Sequence, residues 1–137
     1  MNACKLSQHY APLVGRLLLA SIFLISGFKK ILGFAATAGY MAGKGLPMAD
    51  ALLVATIIIE IGGGLMLVVG WQARWGATAL FLWMIPVTYV FHAYWGLPEP
   101  EMRMQFIQFQ KNLAIMGGLL YVIAFGSGPY SLRKEKC

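Results

Sequence analysis

The sequence predicts an all-α integral membrane protein, with four helices in an antiparallel up-down bundle and both termini in the cytoplasm. Of the 137 residues, 59% are hydrophobic and only 12% are charged, whereas soluble domains contain about 25% charged residues. Four stretches stay apolar over about the 20 residues that a membrane helix needs. The length is that of one domain, covering residues 1–137.

The four predicted spans cover about residues 13–34, 51–69, 75–94 and 109–125. They are continuously apolar, which favours helices over the alternating strands of a membrane barrel. Glycines and prolines separate the spans and predict turns between them. The first connection is predicted to be a loop, and the short link Trp71–Trp75 returns the chain antiparallel after the second span.

The predicted orientation depends on lysines and arginines in the connections, which are enriched on the cytoplasmic side. The side that holds both termini carries Lys5, Arg74, Arg133, Lys134 and Lys136, and the other side carries Lys44 and Arg103. This distribution favours cytoplasmic termini. A cleaved N-terminal signal peptide is the competing interpretation, but Lys29 and Lys30 would then lie between its apolar stretch and the cleavage site.

Charge and cysteine content exclude several functional classes. The net charge of +6 is scattered along the chain, so no nucleic-acid partner is expected. Two histidines and two cysteines, distant in sequence, predict no metal site. Because Cys4 and Cys137 form no paired motif, no redox role is assigned to their thiols.

Ionisable side chains within the predicted spans are the candidate functional residues. A charge in hydrocarbon is energetically costly, so such residues are usually paired and often belong to a functional site. Glu60 lies near the middle of the second span, Lys30 near the end of the first, and His92 near the end of the third. The alternating helix directions bring these ends into the outer third of the bundle. We therefore predict a polar pocket there, with Glu60, Lys30 and His92 as catalytic residues.

Four further polar residues are predicted to bind a ligand at this pocket: Lys29, Lys111, Asn112 and Arg16. Their positive charges favour an anionic or carbonyl-bearing ligand. Structural interpretations remain open. Lys29 would extend to the lipid headgroups, Glu60 would pair with Arg16 or Lys30, and Asn112 would bridge two helices.

Glycines within the spans are predicted to mediate helix packing, because small residues let membrane helices approach closely. These are Gly27, Gly62, Gly63, Gly64, Gly117 and Gly118. Since five of the six lie in the second and fourth spans, these two spans are predicted to form the closest pair. Pro86 removes one backbone hydrogen bond from the third span and is predicted to kink it beside His92.

Several motifs, taken in order, resemble the DoxX-like family of small four-helix bacterial membrane proteins. The segment Ser26-Gly27-Phe28-Lys29-Lys30 after Arg16 is similar to the first span of that family. Glu60-Ile61-Gly62-Gly63-Gly64 is similar to its second span, and Lys111-Asn112 followed by Gly117-Gly118 to its fourth. The resemblance implies a multi-pass protein of the bacterial inner membrane, linked in some members to quinone-dependent redox enzymes.

Three functions are consistent with these residues. The first is a redox-associated subunit that binds a quinone or a similar lipid-soluble carrier, with a redox enzyme as its partner. In that case Lys30 and His92 would donate hydrogen bonds to a carbonyl, and Glu60 would exchange a proton. The second is a non-catalytic membrane partner or assembly subunit, and the third is a small carrier for protons or anions. Because four spans bury little surface, a homo-oligomer is also expected.

Overall fold

The structure is a computed structural model that describes residues 2–133. Within this range it contains five α-helices and no strand: α1 (Ala3–Leu32), α2 (Phe34–Gly43), α3 (Ala49–Val69), α4 (Ala73–Phe91) and α5 (Glu101–Phe125). The all-α prediction is therefore confirmed. Among the described residues, α1, α3 and α5 are the three helices that are long and apolar enough to cross a membrane.

Two helices are longer than the spans predicted for them. Helix α1 begins at Ala3 instead of near residue 13, and α5 begins at Glu101 instead of near residue 109. Both added segments are more polar than the spans that follow them. Hydropathy locates the apolar part of a membrane helix, whereas the backbone hydrogen bonds of the same helix continue into water.

Helix α2 occupies most of the connection that was predicted to be a loop. Its glycines, Gly39 and Gly43, each cost about 1 kcal/mol relative to alanine in a helix. Burial compensates for this cost, because Ala38 and Met41 pack with Leu53 of α3 in a small hydrophobic cluster. The loop prediction for this segment is wrong. It was based on the low helix propensity of the glycines and did not include the contact with α3, which only the tertiary structure shows.

The helices pack as a chain of neighbours. Helix α1 packs on α3, α3 on α4 and α4 on α5, while α2 lies against α3 and α1. Helix α1 contacts α5 over a short stretch, and α3 does not contact α5. The prediction that the second and fourth spans form the closest pair is therefore wrong.

Gly63 of α3 and Gly118 of α5 account for this difference, because each of these two glycines faces a helix other than the predicted one. A Cβ atom at Gly63 would lie 2.7 Å from Leu80 of α4, and one at Gly118 would lie 3.0 Å from Leu19 of α1. A glycine indicates that some neighbour comes close, and it does not say which helix supplies that neighbour.

The remaining predicted packing glycines divide into two groups. A Cβ atom at Gly27 would lie 2.7 Å from Ile61, and one at Gly64 would lie 2.8 Å from Leu24, so both support the contact between α1 and α3. Gly62 and Gly117 have open space where a Cβ atom would be.

The outer surfaces of the helices carry large apolar side chains. Leu18, Ile58, Leu82 and Tyr121 are among those that are more than half exposed. Extended apolar surfaces of this kind are typical of contact with a membrane.

Candidate functional site

The site is built around an ion pair between α1 and α3. The Lys30 Nζ atom lies 3.0 Å from both carboxylate oxygens of Glu60. Ser26, one turn before Lys30, accepts a hydrogen bond from Nζ and donates one to Glu60 Oε1 at 3.4 Å. The Glu60 side chain is 11% exposed and that of Lys30 is 25% exposed. The two charges therefore neutralise each other in a largely buried position.

Local sequence explains why these side chains meet. Ser26 and Lys30 are four residues apart, so they lie on the same face of α1. Gly27 lies on α1 between them in sequence, and its missing side chain lets Ile61 of α3 approach closely. This approach brings Glu60, the residue before Ile61, within reach of both Ser26 and Lys30.

A cavity of about 420 Å³ lies beside the ion pair and is lined by residues of α1, α2, α3 and α4, together with His92 after α4. This volume is within the usual range for small-molecule sites. The polar lining residues include Lys30, Glu60, Thr37, Thr56 and His92. Most other lining residues are apolar, among them Met41, Leu52, Pro86, Val87 and Val90. The cavity is therefore an apolar chamber with charge on one side.

Aromatic side chains connect α2 with α4 at this cavity. The rings of Tyr40 and Phe91 both line it and stack with 5.7 Å between their centroids. Trp83 of α4 also lines it, and the indole nitrogen of Trp83 is buried with no hydrogen-bond acceptor among residues 2–133. A buried donor without an acceptor costs free energy, so an acceptor near this nitrogen would be favourable.

His92 follows the last residue of α4, and its position is supported from α5. The His92 Nδ1 atom lies 3.0 Å from Gln105 Oε1. In a neutral ring, a proton on Nδ1 that is donated to this oxygen leaves Nε2 as a proton acceptor. The three residues predicted as catalytic, Glu60, Lys30 and His92, thus all line one cavity.

The structure does not bring the other predicted site residues into this cavity. Lys29 is exposed on α1, and Lys111 is exposed on α5, in a separate groove between α1 and α5. Asn112 is buried and donates a hydrogen bond to Thr88 of α4 at 3.0 Å. Successive helical residues point about 100° apart. Lys29 therefore cannot share the direction of Lys30, although the two are adjacent in sequence.

Arg16, also predicted to bind a ligand at this pocket, does not line the cavity. It is 2% exposed, and its guanidinium group donates hydrogen bonds to three backbone carbonyls. These belong to Leu67 near the end of α3, at 3.0 Å, and to Pro129 and Tyr130 after α5, at 3.3 and 2.9 Å. Arg16 therefore joins α1 to the end of α3 and to the C-terminal segment. The alternative in which Arg16 pairs with Glu60 is wrong.

Sequence reasoning missed Ser26, Trp83 and the cavity residues of α2. Ser26 had a usable signal, since a hydroxyl four residues before Lys30 shares its helix face. Thr37 and Tyr40 were missed because α2 was predicted to be a loop. Trp83 also had a usable signal, since it lies in the middle of the third predicted span whereas Trp71, Trp75 and Trp95 lie at span ends.

The family model described as DoxX matches residues 11–93, a segment that contains Arg16, Lys30, Glu60 and His92. The chain belongs to the DoxX family. As expected for a DoxX protein, it matches the inner membrane protein YqjF of Escherichia coli K12 with 34% identity over 132 residues, which cover 95% of each chain.

Two further relatives extend the comparison. The inner membrane protein YphA of the same organism is 30% identical over 123 residues, which cover 90% of this DoxX chain and 88% of YphA. A Surfeit locus protein 4 homolog of Schizosaccharomyces pombe is 26% identical over 129 residues, or 93% of this chain and 38% of that protein. No solved structure matches. The predicted family and the predicted multi-pass location in a bacterial inner membrane are confirmed.

Proposed function

We propose that this DoxX protein binds a quinone or a similar lipid-soluble carrier in the cavity beside Lys30 and Glu60, as the membrane subunit of a redox enzyme. One observation carries the proposal. The ion pair lines a chamber of about 420 Å³ whose other lining residues are mostly apolar. A flat ring with carbonyl groups matches this combination, since ligand sites are mainly apolar with a few polar groups that fix orientation.

The residues that line the cavity suggest how the carrier is held. Lys30 shares its protons among Ser26 and both oxygens of Glu60, so a carbonyl that binds Lys30 replaces one of these acceptors. His92 Nε2 is the group that accepts a proton from a bound quinol. The Glu60 carboxylate compensates the charge of Lys30 and accepts the second proton of the quinol, and in the reverse direction His92 and Glu60 return these two protons to the quinone. The redox-enzyme partner takes the two electrons of the quinol, or supplies them to the quinone.

The proposal includes a membrane topology. We propose that α1, α3, α4 and α5 cross the membrane as an antiparallel four-helix bundle in a single domain, with both termini in the cytoplasm. The 19 residues of α4 span about 28 Å at 1.5 Å per residue, close to the hydrocarbon thickness of about 30 Å. The bonds of Arg16 to Leu67 and Tyr130 support a common membrane end for the N-terminal half of α1, the end of α3 and the segment after α5. The cavity then lies toward the outer leaflet.

Quinone binding is tested with a matched pair of substitutions. Val87 lines the cavity, whereas Val54 is 46% exposed on α3 and lies outside it. We expect Val87→Phe to weaken binding of a short-chain ubiquinone by at least about tenfold, equivalent to about 1.4 kcal/mol. Val54→Phe should bind as the wild type does. Organic extraction of gently purified wild-type protein should also release quinone, and equal ubiquinone affinity in both variants would contradict the proposal.

A second candidate is a non-catalytic membrane partner in which the ion pair only holds α1 against α3. The observation in its favour is that Ser26 and Glu60 together occupy all three protons of the Lys30 ammonium group. This function predicts a stable protein partner in a pull-down with no extractable quinone. Under this interpretation Val87→Phe leaves assembly with that partner unchanged.

A further inference from the structure

A second concave surface lies between α1 and α5, separate from the cavity described above. It encloses about 800 Å³, and the two helices approach each other near Leu19 and Gly118. Its walls are apolar, with Leu18 and Ile22 on α1 and Ile115 and Phe125 on α5. From Lys111 to Phe125 the groove runs 14 residues along α5, about 21 Å, which exceeds half of the hydrocarbon thickness of about 30 Å.

The charged residues that line this groove are both cations, Lys111 and Arg16. Among residues 2–133, neither of them forms an ion pair with a carboxylate. The Nε atom of Arg16 is buried without an acceptor in the same part of the chain. Lys111 is exposed, so it is the cation that a bound molecule reaches.

We propose that the groove between α1 and α5 is a binding site for one anionic phospholipid. Its phosphate contacts the Lys111 ammonium group, and one acyl chain lies along the groove toward Phe125. Intramembrane cations require a partner, and lipid phosphate supplies one at the membrane surface. Basic pockets between membrane helices are known to bind anionic headgroups.

Charge argues against a second copy of this chain as the occupant. A symmetric dimer brings the same surface of each subunit against itself. Across this groove it would bring the exposed Lys111 of the two copies together, and the residues that line the groove include no acid to compensate them. An anionic lipid instead adds the missing negative charge and fills the apolar part of the groove with its chain.

Native mass spectrometry with dioleoylphosphatidylglycerol and dioleoylphosphatidylcholine tests the headgroup contact. The wild type should bind the first phosphatidylglycerol about fivefold more tightly than phosphatidylcholine, because one lysine near an anionic surface contributes about 1 kcal/mol. Lys111→Gln should abolish this preference. Lys29→Gln is the matched control, since Lys29 is an exposed lysine of α1 that does not line the groove. Equal losses in both variants would overturn the proposal.

Two glycines test the acyl-chain contact. Gly15 lines the groove, Gly117 does not, and both have open space where a side chain would begin. Gly15→Leu should weaken both lipids by about fivefold or more because leucine occupies the path of the chain, while Gly117→Leu should change neither. Unchanged lipid binding in Gly15→Leu would refute the site. Light scattering tests whether a second copy occupies the groove instead. The site would also be refuted if the wild type is a dimer and Gly15→Leu is a monomer while the two have the same lipid affinity.

Discussion

Substitutions at Lys30 and Glu60 are expected to be non-additive. The double variant should lose less unfolding free energy than the sum of the losses in the two single variants. With the atoms 3.0 Å apart, two unit charges attract each other by about 5.5 kcal/mol at an effective dielectric constant of about 20. Solvent reaches 25% of the Lys30 side chain and 11% of Glu60, which lowers the net value. We therefore expect Glu60→Gln or Lys30→Met alone to lose about 3 kcal/mol of unfolding free energy, in the range typical of a broken buried pair.

The double variant should lose about 3–4 kcal/mol, well below the additive sum of about 6 kcal/mol, because it leaves no unpaired buried charge. Reversible unfolding in mixed detergent micelles measures all three variants. Lys29→Met is the matched control and should remain within about 0.5 kcal/mol of the wild type, because Lys29 is exposed. Strictly additive losses would refute the contact between the two side chains. If a stable double variant still binds ubiquinone, the ion pair holds α1 against α3 and is not required for quinone binding.

Three further predictions concern packing, the Arg16 contacts and topology. Gly63→Leu should lower the free energy of unfolding by about 2–3 kcal/mol, measured by thermal unfolding, because a side chain there collides with α4. Gly62→Leu places its side chain in open space and should lower it by less than about 0.5 kcal/mol. Equal losses in the two variants would contradict this packing. Arg16→Gln should lower the free energy of unfolding by about 3 kcal/mol, because three backbone carbonyls lose their hydrogen-bond donor. The segment after α5 should then be cleaved faster in limited proteolysis. Unchanged proteolysis would show that other contacts hold this segment. In a variant without native cysteines, a cysteine at Lys44 should react with an impermeant reagent added to whole cells and one at Arg133 should not; the reverse pattern would invert the proposed orientation.

The class of protein and its candidate residues could be predicted from the sequence because they depend on local properties. Transfer of a segment into a membrane depends on its composition, so the apolar parts of α1, α3 and α5 were located without knowledge of their neighbours. A carboxylate such as Glu60 within an apolar helix is conspicuous for the same reason. Lys30 and His92, which line the cavity with Glu60, were found by counting residues along the predicted helices.

Contacts between helices were decided only by the tertiary structure. The two glycine clusters suggested that α3 packs on α5, yet Gly63 faces α4 and Gly118 faces α1. Helix α2 is stabilised by the burial of Met41 against α3. The helix propensities of its own residues do not predict this contact.

The direction of each side chain was a second property that the sequence left open. Lys29 and Lys30 are the same residue type at adjacent positions, but only Lys30 points at Glu60. Arg16 binds the carbonyls at the end of α3 and after α5 instead of a carboxylate. Burial and charge can be read from residue types along one helix, whereas the partner of a charge depends on the rotation and neighbours of that helix, which are set by the packing of the whole chain.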